Sequence, residues 1–310
     1  MPAVPGPWFD ARALKTSPDF PPPPVWQPLT FGGVAAFARA RWSRLWLVQS
    51  VVAACVAVAV VLVLGRGWFP VVTEAVSSLS DFGSVRGGRL AWPKSEALLL
   101  GENRFLGLVL DLEETGAAGQ IADLQVEFTR EHIKLVTLLG YAALPYPTGV
   151  EIELNRQRLD PWWNAWRPAF MFGGGLTTVA FLFASWFALA ALYAVPVRVL
   201  AWLGGRAASP GKCWRLASAA LLPGALWMAG AILLYAGEVL SLIGLGIAFG
   251  LHLVISWIFV LGAPFCLPRR AEEAEEIGAN PFTPEPVPEV SAPNEPTANP
   301  ANPFQSGPRA

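Results

Sequence analysis

Apolar residues in this chain fall into runs far longer than a buried soluble helix needs. No Asp, Glu, Lys or Arg occurs in residues 45–65, 168–197, 216–237 or 239–268, and only Glu238 separates the last two runs. A helix crosses the roughly 30 Å hydrocarbon core of a bilayer with about 20 apolar residues at about 1.5 Å rise each. The pattern therefore predicts four transmembrane helices, at 45–64, 169–195, 216–236 and 239–263. Pro223 falls within the third beside Gly224 and predicts a kink, because proline removes a rung of the helix. Pro196 and Pro264 stand near span ends. In the fourth, Gly246-x-x-x-Gly250 has the small-residue spacing that lets helices approach closely.

Residues 65–168 follow a different rhythm. Val72, Ala75, Val76 and Leu79 recur at i, i+3, i+4, i+7 and predict a short amphipathic helix. The period then becomes two. Leu106, Leu108, Leu110 and Leu112 line one face; Ala122, Leu124, Val126 and Phe128 alternate with Asp123, Gln125 and Glu127; Val150, Ile152 and Leu154 alternate with Glu151 and Glu153. Such alternation marks strands with one buried and one wetted face. Turn residues separate them at Gly87-Gly88, at Thr115-Gly116 and from Pro145 to Gly149. The expected fold class is an α-helical membrane protein with an inserted small α+β module, its four transmembrane helices accompanied by a mainly antiparallel extracytoplasmic sheet.

Basic residues set the expected orientation. Arg39, Arg41 and Arg44 precede the first span, Arg198, Arg206, Lys212 and Arg215 flank the loop at 196–215, and Arg269 and Arg270 follow the fourth. By the positive-inside rule both termini face the cytoplasm, and the module at 65–168 faces outward. The expected location is the cytoplasmic (inner) membrane of a bacterium. Trp162, Trp163 and Trp166, just before the second span, read as an aromatic belt at the membrane interface. Stacking on a sugar is the other use of such rings. Residues 1–44 and 264–310 read as cytoplasmic, Pro-rich disordered tails, the second acidic at its start.

Composition agrees. Charged residues make up 15% of the chain against about 25% in average soluble proteins, and the net charge of −1 leaves no nucleic-acid footprint. Cys55, Cys213 and Cys266 lie in or near spans, so no disulfide supports the module.

The chemistry-bearing residues are sparse. His132 has neighbouring carboxylates but no second histidine or cysteine with which to build an ordinary zinc site. Asp111, Glu113 and Glu114 could attract a hard cation, yet lack calcium-loop spacing and read as a charged turn. Gly173-Gly174-Gly175 lacks the Lys-Ser/Thr of a phosphate loop. No metal and no cofactor is expected. His252, the sole ionisable side chain well inside a span, is a functional candidate by default; without an acidic or basic partner at that depth it also reads as a neutral histidine hydrogen-bonded between helices. In the tail, Asn280-Pro281-Phe282 and Asn302-Pro303-Phe304 repeat a turn that presents a phenylalanine, a candidate partner-binding motif or simply part of a tether.

The stretches LVLDLEETG (108–116) and LQVEFTREHIKLV (124–136), followed by Gly140, resemble the extracytoplasmic segment of an uncharacterised family of bacterial four-span membrane proteins, one of whose members is linked by name to maltodextrin utilisation. KCWRLASAALLPGALWMAGAILLY (212–235) resembles that family's third span. The resemblance covers residues 35–265, departs at the Trp-rich return and the Pro-rich tails, and implies architecture without an activity. The function expected is a non-enzymatic accessory, sensor or assembly factor. Its partners would be membrane lipid, other membrane or envelope proteins and a second copy of the chain. The alternative is a small-solute or ion transporter or channel component acting as an oligomer.

Overall fold

The computed structural model describes residues 27–94 and 96–270. Both Asn-Pro-Phe copies and residues 1–26 lie outside the described residues. The rest is mostly helical, with a small mixed sheet module between the first two long helices.

Helix α1 (Phe31–Ala36) is capped by the Thr30 hydroxyl, which accepts from Gly33 N at 3.1 Å. Helix α2 (Trp42–Val63) passes through a π-helical turn, Leu64–Trp68, into α3 (Phe69–Ser78), so one helical rod runs from Trp42 to Ser78. After the strands, α4 (Arg156–Leu203) extends for 48 residues, about 72 Å at α-helical rise. It continues through Pro161, Pro168 and Pro196, so Pro196 does not end it. Helix α5 (Pro210–Ala220) gives way at Leu221 to α6 (Leu222–Ala236), the break that Pro223 predicts. Helix α7 (Leu242–Gly262) closes with a 3₁₀ turn, Ala263–Cys266. Four helical stretches are thus long and apolar enough to cross a membrane. The first two run well past the predicted spans, because helical hydrogen bonding continues where apolarity stops.

The strands form two sheets. β1 (Ser84–Arg86) lies between β2 (Arg89–Ala91) and β8 (Ile152–Glu153). The larger sheet has the order β3 (Leu98–Glu102), β4 (Leu106–Leu110), β5 (Leu124–Phe128), β6 (His132–Thr137) and β7 (Gly140–Pro145). Neighbours are antiparallel except β4 and β5, which pair in parallel from Leu106↔Leu124 to Leu110↔Phe128. Parallel partners need a long crossover, supplied here by residues 111–123. That loop folds back over the sheet and changes the burial predicted from alternation. All of β4 is buried on both faces. Gln125, expected on the wetted side, is fully enclosed; its Oε1 accepts from Ile121 N at 2.9 Å and its Nε2 donates to Gly119 O at 2.7 Å.

Two apolar cores result. Val71 and Ala75 of α3 pack on Leu100, Leu106, Leu108 and Leu110 of the larger sheet. Phe37, Leu45, Val197, Leu216, Leu222 and Val260 centre the second core, among the long helices. There Gln49 of α2 donates to the Ser218 hydroxyl of α5 at 2.8 Å, both groups buried. At one end of the bundle the Arg215 guanidinium donates to Ala38 O and lies over the Trp42 ring.

The helices approach most tightly at a glycine other than those predicted. A Cβ on Gly224 would stand 2.6 Å from the His252 carbonyl oxygen, whereas Cβ atoms on Gly246 and Gly250 would meet nothing within 4 Å. The Gly-x-x-x-Gly spacing therefore does not mark the contact between α6 and α7; Gly224 does. Gly224→Leu is expected to destabilise the protein by about 2 kcal/mol or more through overpacking, while Gly246→Leu stays within about 0.5 kcal/mol of wild type. Reversible unfolding in detergent micelles measures both, and equal losses would contradict the assignment.

Candidate functional site

The sheet module meets the long helices at a small group of polar residues between β3 and β4. Asn103 uses both ends of its amide. Its Oδ1 accepts from Phe105 N and Leu106 N at 2.9 and 3.0 Å, which shapes the turn into β4, and its Nδ2 donates to Gly67 O. Gly67 belongs to the π turn, a local widening that accommodates an irregular stretch of backbone. Pro70, with no N–H, stands just beyond it. Gly67 also has no side chain to obstruct Phe105, whose ring lies 3.0 Å from where a Cβ would be.

Arg104 reaches the other way, to the turn between α6 and α7. Its two terminal nitrogens donate to Glu238 O at 2.7 Å and Leu240 O at 2.9 Å. Glu238 has φ 61°, a left-handed conformation that non-glycine residues rarely adopt. The guanidinium thus satisfies carbonyls at a helix end whose own ladder is finished. One helical turn earlier, the Tyr235 hydroxyl donates to Asp123 Oδ2 at 2.9 Å, and Phe105 packs edge-on against the Tyr235 ring at 4.9 Å. Two sequence-distant tethers, Arg104 and Asp123, therefore fasten the module to the tip of the α6–α7 pair.

Beside these tethers lies a cleft of about 650 Å³, within the ~300–1,000 Å³ of small-molecule sites. Phe105 and the β6–β7 hairpin tip, Leu138-Leu139, form its roof; Met228, Leu242 and Phe249 form much of its helical wall. Its polar contribution comes chiefly from Asp123, Tyr235 and Thr137 at one end.

The residues singled out from sequence lie elsewhere. His252 Nδ1–H donates to Phe249 O on its own helix, not across to a neighbouring one, and its ring packs on Phe249 at 4.7 Å. The three tryptophans are divided. Trp162 and Trp166 are exposed, but Trp163 is 7% exposed, donates from Nε1 to the Thr73 hydroxyl at 2.9 Å, and meets Phe69 edge-on. It belongs to the seam between α3 and α4, inside α4 rather than in a loop before it. His132 Nε2 is 3.7 Å from Glu114, while Glu127 pairs with Lys134 and Glu113 with Arg130. Asp123 is not in that patch; it stands near the opposite end of the β5–β6 pair. Among the described residues no cluster of three or more His, Cys, Asp or Glu could hold a metal.

Asp111 organises the start of the crossover. It is buried, and its carboxylate accepts from Gly116 N at 2.9 Å and from the Thr115 hydroxyl. Burial alone would raise its pKa, but the N–H groups of Thr115, Gly116 and Glu113 and the Thr115 hydroxyl together hold the carboxyl below its usual value. A depressed native pKa contributes stability that is present above the unfolded value, near pH 4, and lost as pH falls through the native one. Asp111→Asn is expected to cost about 1–2 kcal/mol at pH 7 and to remove part of the acid-induced loss below about pH 4. Unfolding midpoints measured from pH 7 to pH 3 test this; parallel pH profiles for the two proteins would refute it.

The residues that build the junction escaped the sequence reading. Arg104 acts on carbonyls 134 and 136 positions away, and Asp123 on a hydroxyl 112 away. The available signal was the Asn103-Arg104 pair between apolar strands and the lone Glu238 between apolar runs. No protein-family model, no curated protein and no solved structure matches this chain.

Proposed function

We propose that the chain is a multi-pass membrane protein and a non-enzymatic accessory, sensor or assembly factor, whose sheet module lies outside the cytoplasmic membrane and both of whose termini lie in the cytoplasm. The observation that carries the reading is the double tether. Arg104 and Asp123 bind the module to the outer tip of α6 and α7, so a load or ligand on the sheet is felt by the helices. Orientation is supported by the opposite end of the bundle, where Arg215 binds Ala38 O and Arg206 binds Leu267 O, with Trp42 against Trp214 at 5.2 Å. Those arginines and their neighbours gather basic charge at that end, as cytoplasmic segments do.

The helix core supports this reading over solute transport. Its buried polar side chains among the described residues are Gln49, Ser218 and Ser256. Gln49 and Ser218 bond each other, and Ser256 donates to His252 O at 2.9 Å. These groups serve helix packing, not a polar path.

Arg104→Ala is the test. Charged hydrogen bonds of this kind contribute about 1.5–3 kcal/mol, less where water reaches them. Hydrogen–deuterium exchange of the intact protein in lipid nanodiscs should speed up by about tenfold at residues 237–241, and a partner copurified from native membrane should be lost. Unchanged exchange at the turn, together with no stoichiometric partner for the wild type, would sink the proposal.

A further inference from the structure

The cleft beside the tethers has a shape and a chemistry of its own. It runs along α7 from Leu242 to Phe249, two helical turns or about 10 Å, and along α6 from Tyr235 to Met228 over the same length. That depth fits within one leaflet of a hydrocarbon core of about 30 Å. Ile243 and Phe249 on its wall are 65% and 55% exposed. The hairpin that roofs it turns on Leu138-Leu139, with Leu139 wholly exposed. Two-residue hairpin turns favour Asn, Asp and Gly. An unprotected leucine pair instead suits a tip immersed in hydrocarbon.

The polar end carries an incompletely used acid. Asp123 gives Oδ2 to Tyr235, and no described residue donates to its Oδ1. Nor does a described cation pair with it, because the side chain of Arg104 is directed to the Glu238 and Leu240 carbonyls. A carboxylate can only accept, so what completes it is a donor, and a cationic donor best. Arg104 keeps N–H groups beyond those two bonds, which suits an anionic group close by.

We propose that the cleft holds an acyl chain of a bilayer phospholipid whose primary ammonium head donates to Asp123, with the lipid's phosphate on the Arg104 side. This inference rests on the reading that the four helices cross a membrane, and it adds a ligand class to that reading. A lipid seated there would touch the module and α7 at once, next to both tethers.

The experiment is native mass spectrometry of the full-length protein released from vesicles of equal phosphatidylethanolamine and phosphatidylcholine with identical chains. The second head is quaternary and has no N–H to give. Wild type is expected to retain the ethanolamine lipid over the choline lipid by about tenfold, the value of roughly one charged hydrogen bond. Asp123→Asn keeps an acceptor for Tyr235 but loses the charge, and should bring the ratio close to one. Gly246→Phe, at a position where a Cβ meets nothing within 4 Å, should fill the cleft and abolish retention of both. Leu139→Ser changes a side chain with nothing packed over it and should weaken retention, which covers the case in which the phenylalanine variant does not fold. Equal retention of the two lipids by wild type, or retention unaffected by both Gly246→Phe and Leu139→Ser, overturns the proposal. Alkaline carbonate extraction separates the two levels. Protein freed into the supernatant refutes the membrane reading itself, while protein left in the pellet without lipid preference refutes only the lipid site.

Discussion

Backbone polar groups must be satisfied wherever an apolar helix bends or ends, and this constraint organises the molecule. Within a regular helix the ladder does the work. At the π turn of the first rod and at the α6–α7 turn it does not, and the two side chains that supply the missing donors stand next to each other in sequence. Asn103 bonds Gly67 O; Arg104 bonds the carbonyls of Glu238 and Leu240. The sheet module is thus the hydrogen-bonding partner of two helix irregularities, and its placement follows from that role. Removing either donor would leave these carbonyls without their side-chain partner.

The same constraint accounts for the shape of the cleft. The module is fastened along one line, from the π turn through Phe105 to Tyr235 and Glu238. Beyond that line β6 and β7 overhang the helices. All of β7 is exposed, and the overhang ends in leucines. An apolar gap between an apolar overhang and apolar helices has no favourable reason to hold water. Its one charged edge, Asp123, lies where the fastening line and the gap meet.

Much of the architecture was legible because it rests on local rules. Charge-free runs locate the four long helices, the i, i+3, i+4, i+7 spacing locates α3, and Pro223 locates the break between α5 and α6. Direction and depth were less accessible. The apolar alternation of β4 and β5 is the same whether they run parallel or antiparallel, so nothing local revealed the crossover that buries Gln125. Trp163 differs from Trp162 and Trp166 only in the helix face it occupies, which required knowing that α4 begins at Arg156. The junction was hidden for a related reason. A hydrogen bond from Arg104 to a backbone carbonyl leaves no requirement on the side chain at the other end, so Leu240 carries no mark of it and Glu238 shows only as a lone charge between apolar runs.

The tethers hold one end of a helix that is pinned near its other end. At Gly224 the backbone of α6 lies against the His252 carbonyl, closely enough to exclude any side chain. Above this point, Tyr235 and Glu238 are held by the module; below it, Leu221 interrupts the helix and α5 is bonded to α2 through Ser218 and Gln49. Between its tip and its base α6 also packs along α2 and α7, and the break at Leu221 is where its hydrogen-bonded ladder separates from that of α5. Tyr235 lies three turns above Gly224, so about 16 Å of helix separates the tight contact from the tether. The Gln49–Ser218 bond, which joins α2 to α5, therefore lies on the far side of the Leu221 break from both tethers.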